Sequence, residues 1–273
     1  MSTFAPILEA AAVHDRRRLR TWLAFAFSAG MVNATALAAC QRYVTHVTGT
    51  LTRIGADYDN LVLLLDYVLV TLAFVLGAMT SFKMIDGRRV RDKQPWPTAP
   101  LFLVGGCLAA AAVLGQCGAF GPFGQTVETR GDFVLLAILA FAMGLQNASV
   151  ATTTGMIVRT THMTGPLTDF SVALGAYVSR APQVVRETAR ESVILRGSKI
   201  LAFVLGCMAA AILAPRLQYA TFFVPAVTVM LAGWSLRLHL ADRNAARIAS
   251  APAPSPASQS MARTGDSTMA AAV

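Results

Sequence analysis

The chain has 273 residues, of which 55% are hydrophobic and 14% charged, with a net charge of +9 and a mean hydropathy of +0.55. So small a polar fraction cannot cover a water-soluble core of this size, which would carry roughly a quarter charged residues, so the apolar excess must face lipid. Lys and Arg fall in short runs between long uncharged stretches and are not interleaved with exposed aromatics, which argues against a nucleic-acid partner.

In chain order, residues 1–20 form a basic arm that ends in Arg16, Arg17, Arg18 and Arg20. Stretches of about 20 mostly apolar residues, long enough to span a bilayer, follow at Trp22 to Gln41, Leu61 to Phe82, Ala99 to Ala119, Phe133 to Ile157, Ile200 to Ala214 and Thr221 to Leu240. None shows the alternating pattern of barrel strands, and backbone polar groups cannot stay unpaired in lipid, so the expected fold class is all-α with six transmembrane helices. Leu37-Ala38-Ala39-Cys40 imitates a lipoprotein signal, but cleavage there would discard Asn33, which the second half reproduces; a retained first helix is the simpler reading. Residues 243–273 are rich in Ala, Ser and Pro and are expected to be a disordered tail.

Cys40, Cys107, Cys117 and Cys207 lie in or beside apolar stretches, without a C-x-x-C pair or a His at ligand spacing. They read as buried thiols, and neither metal nor cofactor is expected.

The positive-inside rule sets orientation. The arm, the loop from Lys83 to Lys93, the segment from Arg159 to Lys199 and the C-terminal side together hold nineteen of the 23 basic residues. The other loops hold only Arg42, Arg53, Arg130 and Arg216. Both termini are therefore expected in the cytoplasm.

Two halves of the chain match. Gly30-Met31-Val32-Asn33-Ala34-Thr35 and Thr45-His46-Val47-Thr48-Gly49 answer Gly144-Leu145-Gln146-Asn147-Ala148-Ser149 and Thr161-His162-Met163-Thr164-Gly165. Leu72-Ala73-Phe74-Val75-Leu76-Gly77 answers Leu201-Ala202-Phe203-Val204-Leu205-Gly206. Three spans per copy and no linking span make the copies, 21–120 and 131–240 within a membrane domain of 21–242, an inverted pair. His46 would then approach the bilayer from outside and His162 from inside. Inverted repeats of this kind place solute and ion sites where the copies meet.

Through G-x-x-N-A, T-H-x-T-G and the run Met143 to Ala148 with Arg159 to Gly165, the chain resembles the YoaK family of bacterial integral membrane proteins over roughly residues 20 to 240. The resemblance implies a location in the bacterial cytoplasmic membrane and supplies no activity.

Asn33, His46, Thr48, Gly49, Gln146, Asn147, His162, Thr164 and Gly165 are the candidate solute-binding residues. In T-H-x-T-G the Thr or Gly can cap a helix starting at the next residue, with Pro166 suited to its first position, and such an end attracts anions while a neighbouring His adds charge or moves a proton. The bland alternative is an ordinary capped loop. Asn33 and Asn147 lie inside apolar spans, where an amide either ties helices together or meets a solute. Asp66 is the one acid well within an apolar span and, like Arg53 and Asp169 at matching positions after the motifs, is a candidate coupling group.

The leading functional expectation is a small secondary transporter or channel for a small solute or ion. An enzyme using His46 or His162 would need Asp66 or Asp169 nearby. A scaffold would use Arg180 to Arg196 as an amphipathic surface helix on anionic headgroups. Faces containing Gly77 and Gly206 could also support a homodimer.

Overall fold

A computed structural model describes residues 5–125 and 130–249. Among them there is no strand, as apolar runs without water to satisfy their amides require. The helices are α1 (Ala10–His14), α2 (Arg16–Cys40), α3 (Val47–Ala56), α4 (Leu61–Met84), α5 (Asp86–Arg89), α6 (Ala99–Gln116), α7 (Arg130–Thr153), α8 (Thr164–Val178), α9 (Gln183–Leu217) and α10 (Phe223–Ala249), with a 3-10 turn at Gln218–Phe222. Five stretches are long and apolar enough to cross a membrane, and the fifth, Gln183–Arg243, comprises α9, the 3-10 turn and α10. The chain up to Leu236 packs as one unit; from Arg237 a second unit begins, of which the described part is helix to Ala249.

Local chemistry sets the boundaries. Asn60 caps α4, its Oδ1 accepting from Leu63 N at 3.2 Å. Pro100 occupies the first turn of α6, where a missing N–H costs nothing. Pro215 removes a donor from the last turn of α9, and Gln218, with φ of 49°, turns the chain out of the α-helix. α2 and α7 end alike, with Gln41 at φ 55° and Gly155 at φ 60° in the left-handed conformation that closes a helix.

Two groups of contacts define opposite ends of the first unit. At one, Leu8 N donates to Thr153 O at 2.9 Å and Arg89 donates to Ala5 O at 2.8 Å, joining the N-terminal segment to the ends of α7 and α5. At the other, Gly124 N donates to Ala39 O at 2.7 Å and Gln116 donates to Leu217 O at 3.0 Å, joining the ends of α2, α6 and α9. Helices α2, α6 and α9 thus run toward one end, and α4 and α7 toward the other.

The centre is two glycine crossings. A Cβ on Gly30 would collide with the backbone carbonyl of Phe203, and one on Gly206 with that of Phe27, so α2 and α9 approach backbone to backbone. A Cβ on Gly144 would collide with the carbonyl of Phe74, and one on Gly77 with that of Phe141, giving α7 and α4 the same crossing. Gly77 and Gly206 therefore pack within the chain, and the homodimer expectation loses its stated basis. On their other sides α4 and α9 expose Leu72, Leu76 and Met79, and Leu201, Leu205 and Met208, a surface suited to lipid and not to water.

Several sequence boundaries are corrected. The fourth apolar helix stops at Thr153 and not Ile157, because Gly155 and Met156 both take positive φ. Within the arm Leu8 and Val13 are buried, and Trp22 Nε1 donates to Val13 O at 3.0 Å. The basic segment Arg180 to Arg196 is no separate surface helix, since α9 starts at Gln183 and runs unbroken through it, against α8. The tail is helical to Ala249, and its remainder, 250–273, lies outside the described residues. Of the cysteines only Cys40 is buried; Cys107 and Cys207 are intermediate and Cys117 is exposed, because apolar stretches facing lipid are not covered by protein.

Candidate functional site

Each matched motif builds a loop that hooks back onto the long helix before it. After Gln41 turns α2 off, the chain returns, and Asn33 Oδ1 accepts from Val44 N at 3.2 Å and Thr45 N at 3.1 Å. After Gly155 the same happens at α7, where Asn147 Oδ1 accepts from Thr160 N at 3.0 Å and Thr161 N at 3.3 Å. The amides satisfy backbone donors that would otherwise be orphaned in an apolar setting. They are clamps between a helix and its own following loop, and not ties between helices.

The two hooks deliver the starts of α3 and α8. These helices begin inside the motif, at Val47 and Thr164, and not after it. In the second copy the cap is the histidine itself: His162 Nε2 accepts from Gly165 N at 3.3 Å. The ring lies over the first turn because Gly165 has no side chain to obstruct it, and Gly49 leaves the same space for His46. Capping thus accounts for His162 and Gly165 in the second copy, whereas His46 makes no side-chain cap bond at the start of α3; the neighbouring hydroxyls of Thr50, Thr52 and Thr168 bond back to carbonyls four residues earlier.

Both helix starts open on one cavity of about 780 Å³. Asn33, His46 and Thr48 line it from the first copy, and Asn147, His162 and Thr164 from the second. Phe74 and Phe203, whose carbonyls form the glycine crossings, supply apolar wall. Arg159 also lines it, and the Lys199 amine donates to the Arg159 carbonyl at 2.7 Å. Sequence reading passed over Phe74, Phe203 and Arg159 as site residues, although the phenylalanines sit in the repeated L-A-F-V-L-G run and Arg159 opens the R-T-T-H run.

The remaining candidates lie elsewhere. Gln146 is fully buried, donating to Phe25 O at 3.1 Å and Thr160 Oγ1 at 3.2 Å, and ties α7 to α2 and to the hook. Gly49 lines a second cavity of about 320 Å³, together with Arg42, Arg53 and Asp66. Tyr43 and His46, in edge contact at 6.1 Å, line both cavities and stand between them. Asp66 is buried and accepts from Arg42 Nε at 2.9 Å, with the guanidinium also 5.4 Å over the Tyr67 ring. Arg53 pairs with Asp57 at 3.5 Å and Asp169 with Arg196 at 3.3 Å, so these two candidates do not pair with each other.

Against known proteins, the model of the family described as "Protein of unknown function (DUF1275)" matches residues 21–234. The chain belongs to the DUF1275 family. The match spans both copies of the motif and every helix from α2 into α10, so the cavity of this DUF1275 chain lies wholly within the family's domain. Comparison with the curated proteins and with the solved structures gives no match.

Proposed function

We propose that the chain is a six-span protein of the bacterial cytoplasmic membrane, built as two inverted three-span copies, that passes a small solute or ion through the cavity between them. The observation that carries this reading is the convergence of the two T-H-x-T loops. Asn33 and Asn147 hang them from helices that run in opposite directions, and both line one space beside the glycine crossings. A site shared by inverted copies near the middle of the bilayer is the arrangement on which alternating access operates.

The break at Gln218 supports reading the last apolar stretch as two spans, six in all. As one straight helix, the 61 residues from Gln183 to Arg243 would extend about 90 Å, roughly three times the hydrocarbon thickness. Pro215 and the 3-10 turn instead divide the stretch into α9 and α10, which supports a C-terminal side on the same side as the N-terminus. The basic residues support this, since Arg89 lies at the end of the unit that holds the N-terminal segment, and Arg42 and Arg216 at the other.

A catalytic use of the histidines has less support. Asp66 and Asp169 are each held by an arginine, and His162 Nε2 accepts from the backbone N–H of Gly165. The transport reading is tested by reconstituting the full chain in liposomes and following solute efflux. Flux that is lost in Asn147→Ala, while the variant remains folded, supports the reading; a panel of solutes none of which moves faster than through empty liposomes refutes it.

A further inference from the structure

We infer that the solute taken by the central cavity is a small organic anion, a carboxylate or phosphate ester with an apolar body. The inference rests on the transport reading and supplies its substrate class. It comes from the sign and kind of the polar groups that meet in the cavity.

Among the described residues no Asp or Glu lines the cavity, whereas Arg159 does. The salt bridges between described residues leave Arg159 without a carboxylate partner. Lys199, its near neighbour, donates to its carbonyl and holds the Arg159 backbone in place. The first turns of α3 and α8 both open on the cavity; the start of α3 places partial positive charge there, whereas in α8 His162 takes the Gly165 N–H and Pro166 has none.

The carboxamides point the same way. Asn33 and Asn147 commit their oxygens to the backbone hooks, so the Nδ2 groups are what remain to meet a solute. Nitrogen donors from both copies and a guanidinium thus converge on one space, the donor set that binds oxyanions. A volume of about 780 Å³ exceeds what a bare inorganic ion fills and falls in the range of small-molecule sites. Phe74 and Phe203 provide apolar wall for an organic body.

The second cavity extends this character toward the other end. Its acid, Asp66, is paired with Arg42, and Arg53, itself paired with Asp57, also lines it, so an anion crossing the Tyr43 and His46 partition meets no unpaired acid among the lining residues.

The test holds shape constant and varies charge. Purified full-length protein is assayed by thermal shift, and in liposomes by flux, with benzoate, phenyl phosphate, benzamide and benzamidine, beside a wider panel of neutral and cationic solutes. Benzoate or phenyl phosphate stabilising and crossing, with benzamide and benzamidine at least tenfold weaker, is the expected result. Arg159→Gln should weaken the anion at least tenfold, and Arg159→Lys should restore most of the binding, which excludes misfolding as the cause. If a neutral or cationic solute binds better than every anion and its binding is lost in Asn147→Ala, the anion inference fails and the transport reading stands. If no member of either set binds or crosses with folded protein, both fail.

Discussion

Gly30 lies so close to the main chain of Phe203 that a methyl group cannot be placed between them, and Gly144 stands in the same relation to Phe74. These paired crossings hold α2 against α9 and α7 against α4, and they carry the phenylalanines that wall the cavity. Gly30→Ala and Gly144→Ala should each destabilise by about 1–3 kcal/mol through overpacking against backbone that cannot yield. Gly106→Ala, where a Cβ meets nothing within 4 Å, should be neutral or slightly stabilising because alanine favours the helix. Thermal unfolding in one detergent compares the three, and equal behaviour would contradict the crossing.

The hooks depend on an acceptor oxygen. Asn33→Ala or Asn147→Ala orphans two backbone N–H groups and should cost about 1–3 kcal/mol. Asp retains an acceptor and should recover part of that loss, whereas Leu, apolar and of similar size, should recover none. Hydrogen exchange at residues 44–45 and 160–161 gives a local readout, with faster exchange expected only in the affected copy.

The two copies differ at one buried pair, and the difference explains an unsatisfied hydroxyl. Ser81 and Ser149 share a hydrogen bond at 2.9 Å between α4 and α7. The matching positions between α2 and α9 are Ala210 and Thr35, both fully buried, and Thr35 Oγ1 has no partner. Ala210→Ser should supply one and raise stability by about 0.5–1.5 kcal/mol, read as a rise in unfolding temperature that Thr35→Val abolishes.

Arg42 and Asp66 form an ion pair in which the carboxylate is buried. Removing either partner leaves the other exposed to an apolar setting, so Arg42→Met or Asp66→Leu alone should cost more than the double replacement. A double-mutant cycle in detergent should therefore show coupling of about 1 kcal/mol or more; additive losses would contradict the pairing.

Much of the fold was legible because lipid imposes a simple rule on sequence. Apolar runs marked the long helices, and recurrence of Asn, T-H-x-T-G and L-A-F-V-L-G located the elements that meet in the centre. The roles of the motif residues were less accessible. Nothing in T-H-x-T-G shows that a histidine ring folds over the first turn, because that depends on the space left by Gly165 and on where Asn147 holds the loop. Likewise Arg53 and Asp169 matched in sequence but find different partners, since each pairing is set by the nearest charge, Asp57 on α3's own exit and Arg196 on α9. Basic counts assigned Arg159 a side and could not show that it reaches a cavity.

The inverted six-span arrangement is the claim on which the rest depends, and sided cysteine labelling in intact cells tests it most directly. In a background with the four native cysteines replaced, Tyr58→Cys, Arg180→Cys and Arg216→Cys each place a thiol at an exposed position. An impermeant maleimide should label positions 58 and 216 in intact cells and position 180 only after permeabilisation. Labelling of 58 and 180 from the same side would contradict the inversion, and failure of 216 to label from the outside while 58 does would contradict the sixth span.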